Sequence, residues 1–171
     1  MDLLTLIRDI PDYPKPGISF KDITPLLKNP AGLAMAVEKM ANPWRGKGIE
    51  LVVGAESRGF IFGTAIAQAL SAGFVPIRKP KKLPYKTKGI DYQLEYGTDR
   101  VEIHEDAIDK GQRILMVDDL LATGGTLEAC CKLVDQLGAD IVGITVLLEL
   151  TFLLGREKVK PFGDVHAVLK A

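Results

Sequence analysis

Apolar runs alternate with amphipathic segments along most of the chain, which is the pattern of a parallel sheet covered by helices. Four apolar runs predict buried strands, at residues 49–54, 73–79, 113–119 and 140–150. Two segments carry apolar residues at helical spacing and predict crossover helices, at residues 59–72 and 125–137. The pattern therefore predicts an α/β fold with a mostly parallel central sheet flanked by helices.

Two regions do not follow this alternation. Residues 11–25 contain four prolines and Gly17, so they cannot form a long helix and should run irregularly across the edge or top of the sheet. From Pro80 to about Glu105 the chain is polar, and two alternating runs around Gly97 could form an antiparallel hairpin. A long polar insertion in a compact domain is either disordered or a functional lid.

Length and charge narrow the choice of function. The 171 residues favour a single domain, and 22 Lys and Arg balance 22 Asp and Glu. With no net charge, no global field draws the chain to nucleic acid or to a membrane surface, and we expect neither as a partner. No apolar run is long enough to cross a bilayer and the start does not read as a secretory signal, so we expect a cytoplasmic protein. The adjacent Cys130 and Cys131 are expected to be packing residues on a helix.

The most informative stretch is ILMVDDLLATGGT, at residues 114–126. A strand runs into a glycine-bearing loop that opens a helix, and a helix start offers unpaired N–H groups and a positive dipole end to a phosphate. Gly124 and Gly125 let the backbone approach a ligand closely, and Thr123 and Thr126 add hydroxyl donors. A phosphate site of this kind needs no cluster of basic side chains.

Asp118 and Asp119 end the strand before this loop. Two neighbouring carboxylates repel a phosphate, but they can accept hydrogen bonds from the two hydroxyls of a ribose. The alternative is that Gly124 and Gly125 form only a turn and that the aspartates cap a helix. The stretch matches neither the Walker loop nor the dinucleotide-binding glycine pattern.

Two further candidate anion sites follow other predicted strands. GAESRGF, at residues 54–60, opens a helix after the first strand and is either an anion-binding turn or a plain connection. The basic run RKPKK, at residues 78–82, follows the second strand where the polar insertion begins. A basic run is often only solvated. Its position favours contacts of Arg78, Lys79 and Lys82 with an anion.

Residues 114–126 resemble the signature with which type I phosphoribosyltransferases bind phosphoribosyl pyrophosphate (PRPP). The resemblance implies that fold, with an N-terminal hood at about residues 1–30 and a lid at about 80–104. It implies that Asp118 and Asp119 hold the ribose hydroxyls. The residues it assigns to the ribose 5-phosphate are Ala122, Thr123, Gly124, Gly125 and Thr126. Those it assigns to pyrophosphate are Glu56, Ser57, Arg58, Arg78, Lys79, Lys82 and Tyr96, with a non-proline cis peptide at Glu56–Ser57. The family's RKxxK pattern is kept, although Pro80 and Lys81 depart from it.

PDYPKPGISFKDITPLL, at residues 11–27, is similar to a segment characteristic of adenine phosphoribosyltransferases. The resemblance implies that Phe20 stacks on adenine, that Leu120 packs on its other face, and that backbone near Phe20 and Arg58 reads its Watson–Crick edge. From the residues alone, Phe20 suits a core position better. Ala122 stands where 6-oxopurine enzymes of the fold carry an acid, which argues against hypoxanthine and guanine.

QLEYG, at residues 93–97, matches the lid of the same family. Chemistry at a purine needs an acid near N7, and the resemblance implies that Glu95 is this catalytic acid and that Tyr96 helps close the lid. From the residues alone, Glu95 suits a solvent-facing strand position.

The implied reaction converts adenine and PRPP into AMP and pyrophosphate, with Mg²⁺ carried by PRPP oxygens and water, in a homodimer. The alternatives are transfer to another base and a non-catalytic PRPP-sensing regulator. His104 and His166 receive no role.

Overall fold

A computed structural model describes residues 1–94 and 96–171 of the chain. The strands are β1 (Arg8–Ile10), β2 (Phe20–Asp22), β3 (Leu51–Ala55), β4 (Gly73–Ile77), β5 (Thr87–Leu94), β6 (Gly97–His104), β7 (Arg113–Leu121), β8 (Asp140–Glu149) and β9 (Asp164–Lys170). The helices are α1 (Thr24–Lys28), α2 (Pro30–Ala41), α3 (Arg58–Ala69), α4 (Gly125–Gln136) and α5 (Arg156–Val159).

The central sheet has five parallel strands in the order β4-β3-β7-β8-β9. One face packs against α4 and the other against α2 and α3, so each face has its own hydrophobic core cluster. Alternation along β7 produces this division: Ile114 and Met116 belong to the α4 side, whereas Leu115 and Val117 belong to the α2–α3 side. The predicted α/β architecture is confirmed.

Several predicted boundaries were wrong by a few residues, and several elements were not predicted. The strand predicted at 73–79 ends at Ile77, because the chain leaves the sheet there and Arg78 forms an isolated antiparallel bridge with Glu102 on β6. Helix α3 ends at Ala69 rather than at residue 72. The helices that were not predicted are α1, α2 and α5, and the strands that were not predicted are the edge strand β9 and, in the N-terminal region, β1 and β2.

The two regions outside the alternation both contain antiparallel pairs. The hairpin predicted around Gly97 is confirmed, with β5 pairing with β6 from Thr87 opposite His104 to Leu94 opposite Gly97. The N-terminal region was expected to be irregular, and this was partly wrong, since β1 and β2 form a short two-stranded sheet. Among residues 1–94 and 96–171, no helix has the length and apolar character that crossing a bilayer requires.

Trp44 anchors the end of the sheet at which the strands begin. It is only 3% exposed and belongs to the core cluster on the α2–α3 side. Its ring lies directly on Gly143 of β8, where an added Cβ would come within 2.1 Å of the indole. Only glycine at this position leaves room for the ring.

Candidate active site

A cavity of about 400 Å³ opens where β3 and β7 end and α3 and α4 begin. In an open parallel sheet this edge is where ligands bind. The lining contains most of the predicted site residues, namely Glu56, Ser57, Arg58, Asp118, Asp119, Leu120, Ala122, Thr123, Gly124, Gly125 and Thr126. Leu121 and Leu127 also line the cavity and were not predicted.

The phosphate loop, residues 122–126, is held by backbone packing. Gly124 has a φ of +84° at the N-cap of α4, and a Cβ there would lie 2.7 Å from the carbonyl oxygen of Gly155. Gly155 in turn faces Ala122, whose carbonyl oxygen would lie 2.3 Å from a Cβ at position 155. A Cβ on Gly125 would meet nothing closer than Thr123 Oγ1 at 3.9 Å. Gly124 is therefore required by the fold, whereas Gly125 leaves open space on the cavity side.

The first turn of α4 can donate hydrogen bonds to an anion. Among the described residues, no side chain caps this helix, so its leading amides keep their donor capacity toward the cavity. The alternative in which Asp118 and Asp119 cap the helix is wrong, because both lie within β7 and Gly124 takes the N-cap position.

The two aspartates occupy different environments within the cavity. Asp119 has a side chain only 8% exposed and pairs with Arg58, with 2.7 Å between Oδ2 and Nε. Asp118 Oδ1 accepts a hydrogen bond from the Asp119 amide at 2.8 Å. Burial, and after it the charge of Asp119, raise the pKa of Asp118 well above its usual value. The site thus holds two close carboxylates whose repulsion hydroxyl donors would relieve.

Glu56 collects the cationic groups beside the cavity. Its carboxylate lies 3.3 Å from Arg78 Nε and 2.5 Å from Lys82 Nζ, and it accepts a hydrogen bond from the Lys79 amide at 2.8 Å. Burial acts to raise the pKa of Glu56, but the hydrogen bonds from Lys82 and Lys79 outweigh it and lower the pKa. The peptide bond between Glu56 and Ser57 is cis, as the resemblance implied.

The proposed adenine residues lie next to these groups. Phe20 is half-buried and is absent from both core clusters of the described residues, so the core alternative for this side chain was wrong. It contacts Tyr13 edge-to-face at 5.3 Å, and the guanidinium of Arg58 lies 5.6 Å from its ring centre. Leu120 is half-buried in the cavity wall.

The side chains of Tyr96 and Lys79 point to neighbours outside the cavity wall. Tyr96 is 80% exposed, and its ring lies 4.8 Å from Lys15 Nζ rather than over the phosphate loop. Glu95, the predicted catalytic acid, lies outside the described residues. The side chain of Lys79 turns toward the β5–β6 hairpin, where it pairs with Asp99.

The remaining candidate groups lie away from the cavity. Cys130 and Cys131 are buried and unbonded on α4, which confirms the packing prediction, and burial raises the pKa of Cys131 to about 12. His104 accepts a hydrogen bond from the Tyr85 amide at 3.3 Å. His166 lies on β9 with Nε2 3.0 Å from the carbonyl oxygen of Lys39.

Comparison with known proteins identifies the family to which this chain belongs. The sequence model of the phosphoribosyl transferase domain matches residues 23–161. An adenine phosphoribosyltransferase of Acidobacterium capsulatum is 58% identical over 167 residues, covering 98% of this chain and 92% of that protein. The chain belongs to the adenine phosphoribosyltransferase family.

Solved structures of the family share the fold throughout. The adenine phosphoribosyltransferase of Thermoanaerobacter pseudethanolicus superposes with a TM-score of 0.95 at 49% identity, covering 99% of this chain and 98% of that one. The Saccharomyces cerevisiae enzyme, solved in complex with D-2,5-dideoxy-2,5-imino-altritol 1,6-bisphosphate and adenine, gives a TM-score of 0.91 at 37% identity. That match covers 97% of this chain and 96% of the yeast chain.

Sequence reasoning missed three residues that contact the adenine phosphoribosyltransferase site from distant parts of the chain. They are Gly155 behind the phosphate loop, and Tyr92 and Asp99 on the β5–β6 hairpin. In the sequence alone, Gly155 and Asp99 look like ordinary surface residues, a small residue before Arg156 and an acid within a strand. Only the folded contacts distinguish them.

Proposed function

We propose that this chain transfers the phosphoribosyl group of PRPP to N9 of adenine, giving AMP and pyrophosphate. The observation that carries the proposal is the cavity at the ends of β3 and β7. In it the paired carboxylates of Asp118 and Asp119 stand beside a glycine loop whose helix amides are uncapped by any described side chain. The relatives named for this activity, and the adenine in the yeast complex, support adenine as the base.

The proposed PRPP contacts divide by charge. The amides and hydroxyls of the phosphate loop bind the 5-phosphate, with Ala122, Thr123, Gly124, Gly125 and Thr126 as its residues. Asp118 and Asp119 accept hydrogen bonds from the two ribose hydroxyls. The pyrophosphate group binds at the other side, through Ser57, Arg58, Arg78, Lys79 and Lys82, with Glu56 organising the cations.

The proposed base site lies between the N-terminal region and β7. Phe20 stacks on one face of adenine and Leu120 packs on the other, while backbone near Arg58 reads the ring edge. The half-buried state of Phe20 supports this role, because a ring that stacks on a base must be fixed by its neighbours and still have one face open to the base. Ala122 places a methyl group where 6-oxopurine enzymes carry an acid, which supports discrimination against those bases.

Glu95 is proposed as the acid that hydrogen-bonds or protonates N7, on the strength of its place in QLEYG. As N9 attacks C1 of the ribose, negative charge moves through the purine ring, and an acid at N7 accepts it. Glu95→Gln should therefore lower kcat more than it changes PRPP affinity. An unaltered kcat would place the acid elsewhere.

The rest of the chain contributes position rather than covalent chemistry. The reaction is a substitution at ribose C1 with oxocarbenium-like charge in the transition state. Closure of the lid at residues 80–104 over the bound substrates, with Tyr96 brought to the phosphates, would exclude water and so prevent hydrolysis of PRPP.

Mg²⁺ is part of the proposal. Asp118, Asp119 and Glu56 line the cavity with the oxygen atoms that this ion prefers, but the described residues contain no group of three or more His, Cys, Asp or Glu side chains that could hold it. Two of them are already paired with cations, Asp119 with Arg58 and Glu56 with Lys82. We therefore assign the ion mainly to PRPP oxygens and water, with Asp118 and Asp119 accepting hydrogen bonds from its waters. When bound, it would neutralise the charge on the departing pyrophosphate.

A homodimer is the proposed assembly. Phe152 and Leu154 are 71% and 68% exposed on the turn that follows β8, a degree of apolar exposure that a partner surface would relieve. Sedimentation at several protein concentrations tests this directly.

A base panel tests the activity. The protein is incubated with PRPP and Mg²⁺ together with adenine, hypoxanthine, guanine or xanthine, and the nucleotide formed is identified by chromatography. Formation of AMP with stoichiometric pyrophosphate is expected. Nucleotide formed mainly from another base would reassign the substrate, and PRPP binding without turnover of any base would favour a regulator.

A further inference from the structure

Two anion-binding groups of the proposed site are already engaged by the β5–β6 hairpin. The ammonium group of Lys79 is ion-paired with the carboxylate of Asp99 on β6 and lies 3.3 Å from the hydroxyl of Tyr92 on β5. Both charged side chains are only partly exposed, at 37% for Lys79 and 30% for Asp99. The hydrogen bond from Lys79 is the main cause that lowers the pKa of Asp99, so the carboxylate stays ionised at neutral pH.

The Tyr92 hydroxyl extends these contacts to the phosphate loop. It donates to Asp99 Oδ2 at 3.1 Å and lies 3.3 Å from Thr126 Oγ1. A phenol has one proton, and here Asp99 accepts it, so the hydroxyl of Thr126 must be the donor to Tyr92. Thr126 also has one proton, and it cannot donate that proton to Tyr92 and to a phosphate oxygen at once.

The chemistry of these contacts matches that of a bound substrate. A carboxylate oxygen on an ammonium group and an oxygen acceptor on a threonine hydroxyl are what pyrophosphate and phosphate oxygens would supply. We propose that Tyr92 and Asp99 form a latch that holds Lys79 and Thr126 until PRPP or pyrophosphate displaces it. The latch rests on the proposed function, because it assigns Lys79 and Thr126 to substrate phosphates.

A latch and a permanent support predict opposite effects of the same substitution. If Asp99 competes with pyrophosphate for Lys79, then its neutral isostere should make pyrophosphate bind more tightly. If Asp99 instead keeps Lys79 correctly oriented in the bound state, then the isostere should weaken binding. The sign of the change therefore separates the two roles, which thermal stability alone would not.

The test measures the dissociation constant of Mg²⁺-pyrophosphate by calorimetry for the wild type and for Asp99→Asn. We expect binding about two- to five-fold tighter in the variant, the range that a partly exposed ion pair supports. The matched control is Asp91→Asn on the same hairpin, whose carboxylate pairs with Arg100 and not with Lys79. It removes the same charge and should leave affinity unchanged. Unchanged or weaker binding in Asp99→Asn overturns the latch, as does equal tightening in the control.

Two further variants test the route of the effect. In a Lys79→Gln background, Asp99→Asn should no longer tighten pyrophosphate binding. If the binding tightened by the full amount, the effect would come from the loss of a negative charge near the site and not from the release of Lys79. Tyr92→Phe keeps the ring, frees Thr126, and should lower the KM for PRPP more than it changes kcat. A raised KM would mean that the hydroxyl contacts bound substrate, and would overturn the latch.

The latch and the proposed function can fail separately. AMP formation by the wild type tests the function alone, whatever the variants do. AMP formation with no tightening in Asp99→Asn leaves the function standing without the latch. Tightening of pyrophosphate binding in a protein that makes no AMP would support the latch and reassign the base. A wild type that binds no pyrophosphate would overturn the latch, and one that also makes no AMP would overturn both.

Discussion

At the scale of single residues, the two adjacent glycines of the phosphate loop have different structural roles. Gly124 adopts a left-handed φ, and a Cβ there would meet the Gly155 carbonyl oxygen, while Gly125 has helical geometry and space for a Cβ. A methyl group added at Gly124 therefore tests the contribution of this loop to folding, and a methyl group added at Gly125 tests its contribution to binding.

We predict opposite effects of Gly124→Ala and Gly125→Ala on stability. Gly124→Ala should lower the free energy of unfolding by about 1–3 kcal/mol, since the residue is held in a strained region and its Cβ meets backbone. Gly125→Ala should raise it by about 0.5–1 kcal/mol, as alanine does in a helix, while raising the KM for PRPP. Urea unfolding and steady-state kinetics measure these quantities. A Gly125→Ala enzyme with wild-type KM would mean that no ligand approaches that backbone.

The raised pKa of Asp118 gives a second prediction at this scale. Burial and the charge of Asp119 disfavour the ionised form in the folded state, so ionisation reduces stability as the pH rises above the unfolded pKa near 4. Asp118→Asn should therefore be about 1 kcal/mol more stable than the wild type at pH 7, while using PRPP poorly. The difference should shrink at pH 3, where the aspartate is protonated in both states. A variant less stable at pH 7 would show that Asp118 is stabilised by its surroundings.

At the scale of elements, an ion pair joins β8 to α5 behind the phosphate loop. Glu149 has a side chain only 6% exposed, and both its oxygens contact the guanidinium of Arg156, which also donates to the Val165 carbonyl on β9 at 2.7 Å. The pair fixes the turn that carries Gly155. Its loss should therefore affect both stability and PRPP binding.

Arg156→Met tests this pair, since it keeps the apolar stem and removes the charge. It leaves a buried carboxylate uncompensated, and we expect a loss of about 3 kcal/mol at pH 7. Hydrogen bonding from Arg156 lowers the pKa of Glu149, so the pair's contribution is present above the unfolded pKa of about 4.5 and disappears as the pH falls through the folded pKa. Urea unfolding at pH 7 and pH 3 should show the gap between wild type and variant narrowing in acid. Lys160→Met, which removes a pair with Glu157 on the surface, serves as the control and should cost less than about 1 kcal/mol.

The elements that sequence missed show what a linear pattern cannot convey. Helix α2 buries Gly32, Ala36, Met40 and Ala41, so its inner face is made largely of small residues and contrasts weakly with the rest of the helix. Strand β9 is an edge strand whose residues are mostly half-buried. Its sequence of apolar and polar residues is therefore hard to distinguish from that of an irregular C-terminal tail. Strands β7 and β8 and helix α4, by contrast, carry long periodic runs, and their predicted bounds agree to within two residues.

At the scale of the whole molecule, the sequence located the site better than it located the contacts around it. The phosphate loop and the aspartates are contiguous in sequence, so their motif could be read directly. The latch joins positions 34 residues apart, Tyr92 and Thr126, and its other pair joins Lys79 to Asp99. Such pairs follow from how the hairpin docks on α4, which no local pattern encodes. The roles of Glu95 and Tyr96 stay predictions.

Trp44 has a practical consequence for every measurement above. It is the only tryptophan in the chain, and it lies where the strands begin, at the opposite edge of the sheet from the cavity. Its emission should shift to longer wavelength when the protein unfolds and stay constant when nucleotide or pyrophosphate is added. Intrinsic fluorescence thus supplies an optical probe of folding that does not respond to ligand. It distinguishes a variant whose turnover is impaired because the protein is unfolded from one that is folded but catalytically impaired.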